Sequence, residues 1–140
     1  MKKISIMLLI LSFGSTVLAE HSWVLSCEVD GKKFSETLEV YKAEGPFASL
    51  RANLEMVSED GAYEVSASAF HPLPGNEQTE FDDITIVAEN KKTETTTISG
   101  DTRIATGREN NYFRTLEILS ELPDGTWGPG VHVECELSKK

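Results

Sequence analysis

The chain has 140 residues and two cysteines, and each cysteine lies in a short segment in which apolar and polar residues alternate. Cys135 shares a side of residues 131–137 with valine and leucine, and Cys27 shares a side of residues 23–29 with apolar residues. A period of two residues is typical of a half-buried strand. Two cysteines allow one intramolecular pairing. The alternatives are a cysteine-linked dimer or a metal site, and the lack of a Cys-x-x-Cys spacing argues against the metal site. We therefore predict that a Cys27–Cys135 disulfide joins the first and last strands of an all-β domain.

The first 19 residues are typical of a secretory signal peptide. Lys2 and Lys3 precede an apolar run, and small residues end at Ala19, where we expect cleavage. A retained membrane anchor is the alternative, but the unbroken apolar stretch is short for a bilayer span of about 20 residues. We expect residues 20–140 to form a single exported domain, periplasmic or secreted, in a compartment where disulfides persist.

Turn-forming pairs divide the rest of the chain into short extended segments. Asp30-Gly31 and Asp60-Gly61 between alternating segments are strong hairpin signals. Three further pairs follow at shorter spacing: Asn90-Lys91, Gly100-Asp101 and Asn110-Asn111. The pattern predicts an antiparallel meander of eight or nine strands, closing as an up-and-down barrel or a two-sheet sandwich. We favour barrel-like closure, because the disulfide brings the terminal strands together.

The predicted strands between the terminal two occupy residues 33–41, 48–58, 62–70, 83–89, 92–99, 102–109 and 112–120. Residues 71–80 and 121–130, which are rich in proline and glycine, are predicted loops. The threonine-rich strand around residues 93–97 is weakly apolar, which is compatible with an exposed edge.

The charge of the chain narrows the class of partner. The formal net charge of −10 becomes −12 when Lys2 and Lys3 leave with the leader. Such a chain repels nucleic acid and anionic membranes, which bind clustered basic residues. A cationic protein, a cationic peptide or a metal ion would be attracted, although high negative charge also promotes solubility by itself.

No sequence pattern predicts catalysis or metal binding. The chain has no Gly-x-Ser-x-Gly motif, and His21, His71 and His132 have no zinc-site spacing. Glu80, Asp82 and Asp83 form the densest acidic group but lack the order of a calcium loop, so we predict surface carboxylates there. Asp101 and Asp124 are expected to satisfy backbone groups of their turns. We expect no enzymatic activity, no cofactor and no metal.

Trp127 lies among Gly125, Gly128, Pro129 and Gly130. It is either an anchor for a partner, or a pocket wall, or a plug that covers one end of the core. The usual burial of large aromatic residues favours the plug. The loop that begins at His71 is expected to border the same end. The candidate partner-binding residues are therefore Trp127, Gly125, Gly128 and His71.

Several apolar residues interrupt the polar sides of the predicted strands. They would form an exposed partner surface if they met in space, but need no functional account if they are scattered. They are Tyr41, Phe47, Phe70, Val87 and Phe113.

A small, exported, acidic β-domain with its ends joined by one disulfide is similar in plan to bacterial periplasmic lysozyme inhibitors, whose targets are cationic. The inhibitory pattern S-G-x-G-A-[RK]-Y is not present, since the chain departs from it after Ser99-Gly100, and no residue role is transferred. We expect an exported, non-enzymatic binding domain whose partner is a protein or another cationic ligand. The alternative is a small-molecule carrier with an apolar cavity lined by Leu50, Leu54, Val65 and Ile86.

Overall fold

The computed structural model describes residues 22–42, 44–45, 48–73, 80–100, 102–104 and 111–140. The predicted leader and His21 lie outside these residues. The described strands are β1 (Trp23–Val29), β2 (Lys32–Thr37), β3 (Glu39–Lys42), β4 (Ser49–Val57), β5 (Tyr63–Pro72), β6 (Glu80–Asp82), β7 (Ile84–Asn90), β8 (Thr95–Ser99), β9 (Thr102–Ile104), β10 (Asn111–Glu121) and β11 (Trp127–Lys139).

These strands form an antiparallel β-sandwich. A four-stranded sheet has the order β10-β11-β1-β2, and a five-stranded sheet has the order β3-β4-β5-β7-β8. The short strands β6 and β9 pair separately. The predicted all-β antiparallel meander is confirmed, because most strands pair with their neighbours along the chain.

The predicted barrel-like closure is wrong, because the hydrogen-bonded ladder is interrupted on both sides of the sandwich. The predicted strand 33–41 divides at Leu38 into β2 and β3, which belong to different sheets. On the other side, β8 and β10 lie close, and the Ser99 hydroxyl donates to the Thr115 carbonyl oxygen at 3.1 Å. A closed barrel requires continuous ladders around its wall, whereas these two strands are not neighbours in a described sheet.

The disulfide prediction is confirmed. Cys27 and Cys135 lie directly opposite each other in the antiparallel pairing of β1 with β11, and their sulfur atoms are bonded at 2.10 Å. Both side chains are buried. A buried structural disulfide fits a protein that functions in an oxidising compartment.

The core lies between the two larger sheets. The four-stranded sheet contributes Leu25, Val133 and Leu137, which are fully buried, and the five-stranded sheet contributes Val65 and Ile86. Small residues on the inward side of the five-stranded sheet let the layers approach closely. They are Ala67, Ala69 and Ala88.

The first turn connects both sheets. Asp30 has a φ of 50° and Gly31 a φ of 85°, as the Asp-Gly pair predicts. The Asp30 carboxylate accepts hydrogen bonds from the backbone N–H of His132 at 3.2 Å and of Glu59 at 3.0 Å. This side chain therefore links β11 to the turn between β4 and β5.

The second Asp-Gly turn is closed by its own aspartate. The Asp60 carboxylate accepts hydrogen bonds from the Ala62 N–H at 2.9 Å and the Ser58 hydroxyl at 2.7 Å. These bonds, the backbone one first, lower the pKa of Asp60 because they favour its charged form. The described residues contain no helix long and apolar enough to cross a membrane.

Candidate functional site

The hairpin formed by β10 and β11 is longer than the sequence pattern predicts. β10 continues to Glu121 and β11 begins at Trp127, so the predicted loop 121–130 shortens to residues 122–126. The Leu122 N–H donates to the Thr126 carbonyl oxygen at 2.7 Å, and the Gly125 N–H donates to the Leu122 carbonyl oxygen at 2.9 Å. Trp127 therefore lies on a strand, opposite Glu121.

Asp124 holds this loop together, as predicted for a turn aspartate. Its carboxylate accepts hydrogen bonds from the Thr126 hydroxyl at 2.6 Å and from the Thr126 N–H at 2.9 Å. The hydroxyl bond and then the backbone bond lower the pKa of Asp124. The other predicted turn aspartate, Asp101, lies outside the described residues.

The prediction that Trp127 plugs the core is wrong, because 67% of this residue is exposed. Leu119 and Leu122, which lie nearby on the hairpin, are 51% and 41% exposed. The physical reason is the length of β11. Its pairing with β1 runs from Lys139 back to Val133 and stops there, so the end that carries Trp127 extends past β1.

His71 does not lie near Trp127, contrary to the prediction. Its ring stacks on that of Trp23, with centroids 4.1 Å apart and planes at 25°. Trp23 pairs with Lys139, at the opposite end of β11 from Trp127. At about 3.3 Å per residue, the 12 steps of strand between residues 127 and 139 separate these ends by up to about 40 Å.

Gly125 and Gly128 do lie beside Trp127. Gly125 has a φ of 80° in the loop, where a side chain would strain the backbone. Gly128 is covered by Leu122, and a Cβ atom on Gly128 would lie 2.9 Å from Leu122 Cδ1. The structure thus brings together three of the four candidate residues, and their role in binding a partner stays a prediction.

The outer side of the four-stranded sheet carries a row of acidic side chains that we call the acidic face. It consists of Glu28 on β1, Glu117 on β10, and Glu134 and Glu136 on β11. The apolar members of each strand point into the core, so the alternation directs these glutamates outward. Sequence periodicity places each of them outward, but strand pairing alone shows that they share one face.

Like charges lie directly opposite each other on this face. Glu28 pairs in register with Glu134, an arrangement that destabilises a sheet. Lys33 Nζ lies 3.8 Å from a Glu28 carboxylate oxygen, and His132 Nε2 lies 3.1 Å from a Glu134 carboxylate oxygen. Both contacts involve exposed side chains, where ion pairs contribute little.

The acidic face contains a depression of about 500 Å³. Three carboxylates, those of Glu28, Glu134 and Glu136, line it together with Phe113, which is 64% exposed. Lys33 and Arg114 also line it, so the carboxylates outnumber the cationic residues by one. Carboxylates beside an accessible aromatic ring offer a lysine or arginine both ion pairing and a cation–π contact. The depression therefore suits cationic side chains.

The acidic face continues onto the hairpin. Phe113, Glu117 and Leu119 alternate along the same side of β10. Leu119 pairs with Pro129 and Glu121 pairs with Trp127, beyond a bulge that lies between Ile118 and Leu119. The exposed apolar residues of the hairpin therefore follow the acidic face along the same two strands.

Asp83 is the residue whose position differs most from the prediction made from sequence. It was expected at the surface, but it is fully buried, and its Oδ1 accepts hydrogen bonds from Arg114 Nη2 at 2.9 Å and from the Ile84 N–H at 2.7 Å. Arg114 lies between Tyr112 and Leu116 on the inward side of β10. An arginine at an apolar position was the available signal, because a buried charge requires a partner. The side chains of Glu80 and Asp82 lie outside the described residues.

The apolar residues on polar strand sides do not form one patch. Tyr41 and Phe70 flank Arg51 on the five-stranded sheet, with the guanidinium carbon 3.7 Å and 4.4 Å from the two ring centroids. Phe113 lies on the other sheet. Phe47 lies outside the described residues. Tyr41 and Phe70 thus have a structural account as partners of Arg51.

Among the residues that the structure describes, no three His, Cys, Asp or Glu side chains are placed to hold a metal ion. Comparisons of the chain with protein families, with characterised proteins and with solved structures found no match.

Proposed function

We propose that this protein is an exported, non-enzymatic binding domain, and that its acidic face contacts a cationic protein. The observation that supports this most is the depression in which Glu28, Glu134 and Glu136 meet the exposed ring of Phe113. Charge complementarity of this kind guides association and selects partners.

Solubility alone accounts less well for this arrangement. A protein gains solubility from negative charge wherever it lies on the surface. The register of β1 with β11 instead places Glu28 against Glu134, at a cost to the sheet. The five-stranded sheet also pairs two glutamates, Glu64 and Glu89, and Lys91 Nζ lies 2.8 Å from the Glu64 carboxylate. The nearest lysine on the acidic face, Lys33, is farther away, with its Nζ 3.8 Å from the Glu28 carboxylate. Lysine or arginine side chains of a partner would neutralise the acidic face in a comparable way.

Export is part of the proposal. The Cys27–Cys135 disulfide supports an oxidising compartment. The leader pattern of residues 1–19 supports secretion or a periplasmic location, with cleavage after Ala19.

Binding is favoured over catalysis because the carboxylates of the acidic face lie on an open sheet surface. General acid and base groups act within a water-excluding cleft that orients a substrate. The carrier alternative stays a prediction. Leu54, Val65 and Ile86 pack in the core, and the described depressions of about 500 and 380 Å³ lie on outer faces.

The proposal can be tested with exported proteins of the source cell, separated at pH 7 into a fraction retained by a cation exchanger and an unretained fraction. We expect the immobilised protein to bind components of the retained fraction, more weakly as salt rises. The variant Glu28→Gln/Glu134→Gln/Glu136→Gln should lose at least about tenfold in affinity, because it removes the charges that line the depression.

A matched control carries the same charge change on the other sheet: Glu55→Gln/Glu64→Gln/Glu89→Gln. It should bind as the wild type does. Equal losses in both triple variants, or equal binding of the unretained fraction, would refute a specific role for the acidic face.

A further inference from the structure

We propose that the end of the β10–β11 hairpin is a second contact surface, which inserts into an apolar recess of the same cationic partner. This hairpin tip consists of Leu119, Leu122, Trp127 and Pro129. The inference rests on the proposed function and adds to it the shape and chemistry of the partner's surface.

The hairpin tip concentrates exposed apolar area. Leu119, Leu122 and Trp127 lie within nine residues of sequence, and each is more than two-fifths exposed. Leu119 and Trp127 lie on one side of the hairpin, and Leu122 lies against Gly128 on the other, so both sides of the tip carry exposed apolar area. Exposed apolar area concentrated in this way is typical of an interaction surface. Tryptophan is also among the residues that most often dominate the binding energy of an interface.

Hydrogen bonds within the loop brace the hairpin tip. Two backbone hydrogen bonds close the loop from Leu122 to Thr126, and Asp124 bonds twice to Thr126. Leu122 lies against Gly128, where no side chain intervenes. A preorganised element loses little conformational entropy on association, so its apolar contacts contribute more fully to affinity.

The shape of the hairpin favours a concave partner. The ladder between β1 and β11 ends at Val29 and Val133, and one further bond, from the Asp30 N–H to the His132 carbonyl oxygen at 3.2 Å, follows it. Beyond this point β11 pairs with β10 alone among the described strands. A two-stranded projection with apolar side chains at its end matches a recess.

The negative charge around the hairpin tip determines which kind of partner can bind there. Residues 115–138 contain five acidic residues and no lysine or arginine. An anionic membrane would be repelled, and so would a second copy of a chain with a net charge of −10. Because the hairpin tip continues from the acidic face, one partner can contact both. We therefore assign the occupant as a protein with an apolar recess bordered by lysine or arginine.

The two tryptophans provide a direct test. Trp127 is 67% exposed and Trp23 is 7% exposed, so 5-fluorotryptophan labelling gives one reporter at the hairpin tip and one in the core. Trp127→Phe and Trp23→Phe assign the two ¹⁹F signals. We expect the retained cationic fraction to shift or broaden the Trp127 signal and leave the Trp23 signal in place.

Poly-L-lysine separates the two surfaces, because it is cationic and has no recess. It should bind the acidic face, bind less to the Glu28→Gln/Glu134→Gln/Glu136→Gln variant, and leave the Trp127 signal unchanged. Trp127→Ala should weaken binding of the retained fraction at least about tenfold, as expected for a central aromatic contact, with no change toward poly-L-lysine. Ile98→Ala, which truncates an exposed residue of the five-stranded sheet, is the control and should bind as wild type.

The outcomes distinguish the two proposals. If the retained fraction binds through the acidic face while Trp127→Ala binds as Ile98→Ala does, the hairpin proposal is overturned and the proposed function stands. A Trp127 shift caused by phosphatidylcholine vesicles alone would assign the hairpin tip to lipid and also overturn it. If neither the retained fraction nor poly-L-lysine binds, both proposals fail.

Discussion

Arg114 shows how one residue can depart from the pattern of its strand. It occupies an inward position of β10, where its neighbours Tyr112 and Leu116 are buried in the core. Its guanidinium reaches Asp83, which is fully buried at the start of β7. The ion pair therefore connects the two sheets, and it helps to compensate the buried charge of Asp83.

We expect Arg114→Met to lower the free energy of unfolding by about 3–5 kcal/mol, because the Asp83 carboxylate would stay buried after loss of this guanidinium. Replacing both partners, by Asp83→Leu/Arg114→Met, should recover most of the lost free energy of unfolding. Urea denaturation followed by circular dichroism gives both values. Arg51→Met is the control and should cost about 1 kcal/mol, since the half-buried Arg51 contacts aromatic rings and donates one hydrogen bond to the Ser49 hydroxyl but neutralises no buried carboxylate. A smaller loss for Arg114→Met than for this control would contradict the account.

At the scale of elements, a bulge separates the part of the hairpin that packs on the core from the part that projects. The register between β10 and β11 shifts between Ile118 and Leu119, opposite Gly130. A Cβ atom on Gly130 would lie 2.5 Å from Ser120 Oγ and 2.6 Å from the Ile118 carbonyl oxygen. Glycine is required there because the backbone of one strand approaches the other too closely for a side chain.

Gly130→Ala should therefore destabilise the protein by about 1–3 kcal/mol, the usual cost of forcing a group into a packed site. Gly128→Ala is the matched comparison on the same strand. Its new methyl group would meet the Leu122 side chain, which can move, so the loss should be smaller. Denaturant unfolding compares the two variants, and hydrogen exchange at Ile118 and Leu119 should accelerate more in Gly130→Ala. Equal stability of the two variants would show that the bulge does not need its glycine.

For the whole molecule, the disulfide joins strands that are adjacent in the sheet but 108 residues apart in the chain. Such a bond restricts the unfolded chain far more than it changes the folded one. Domains of this size have total stabilities of about 5–15 kcal/mol. The terminal pairing of β1 with β11, on which the acidic face is built, therefore depends substantially on this one covalent bond.

We expect Cys27→Ala/Cys135→Ala to lose up to about 4–5 kcal/mol in free energy of unfolding, as the chain-entropy account gives for a loop of this length. Urea unfolding of the wild type with and without reductant is an independent test of the same loss of stability. The reductant reaches the buried disulfide when the protein unfolds, so it should lower the free energy of unfolding. Thiol titration with intact-mass measurement of the folded protein, purified without reductant, should show no reactive thiol. Two titratable thiols in that material would refute the structural role of the bond.

Prediction from sequence succeeded where the signal was local. Alternating residues identified β1, β4, β5 and the C-terminal part of β11, and Asp-Gly pairs located the first two hairpins. Prediction failed where the surroundings of a residue come from an element that is distant in sequence. Leu38 has the apolar character of a strand residue but marks the break between two sheets. Asp83 resembles a surface acid until Arg114, 31 residues away, is placed beside it.

Some features of the candidate site likewise follow from the local sequence, and others depend on how the strands pair. The outward direction of Glu134 and Glu136 follows from the period of a strand, as does the inward direction of Cys135. That Glu28 lies beside Glu134, with Phe113 close by, depends on the register of three strands. Composition correctly indicated the negative charge, but it could not indicate which glutamates would lie side by side.

The sequence by itself determined an antiparallel all-β domain with its terminal strands joined through Cys27 and Cys135, because side-chain alternation and cysteine number are properties of the chain. Tertiary structure alone decided that two sheets form instead of a barrel, that Trp127 is exposed, and that His71 lies at the opposite end of the molecule. The reason is that these features depend on where each ladder of hydrogen bonds stops. β11 is longer than its partner β1, and that difference in length leaves the hairpin tip in solvent.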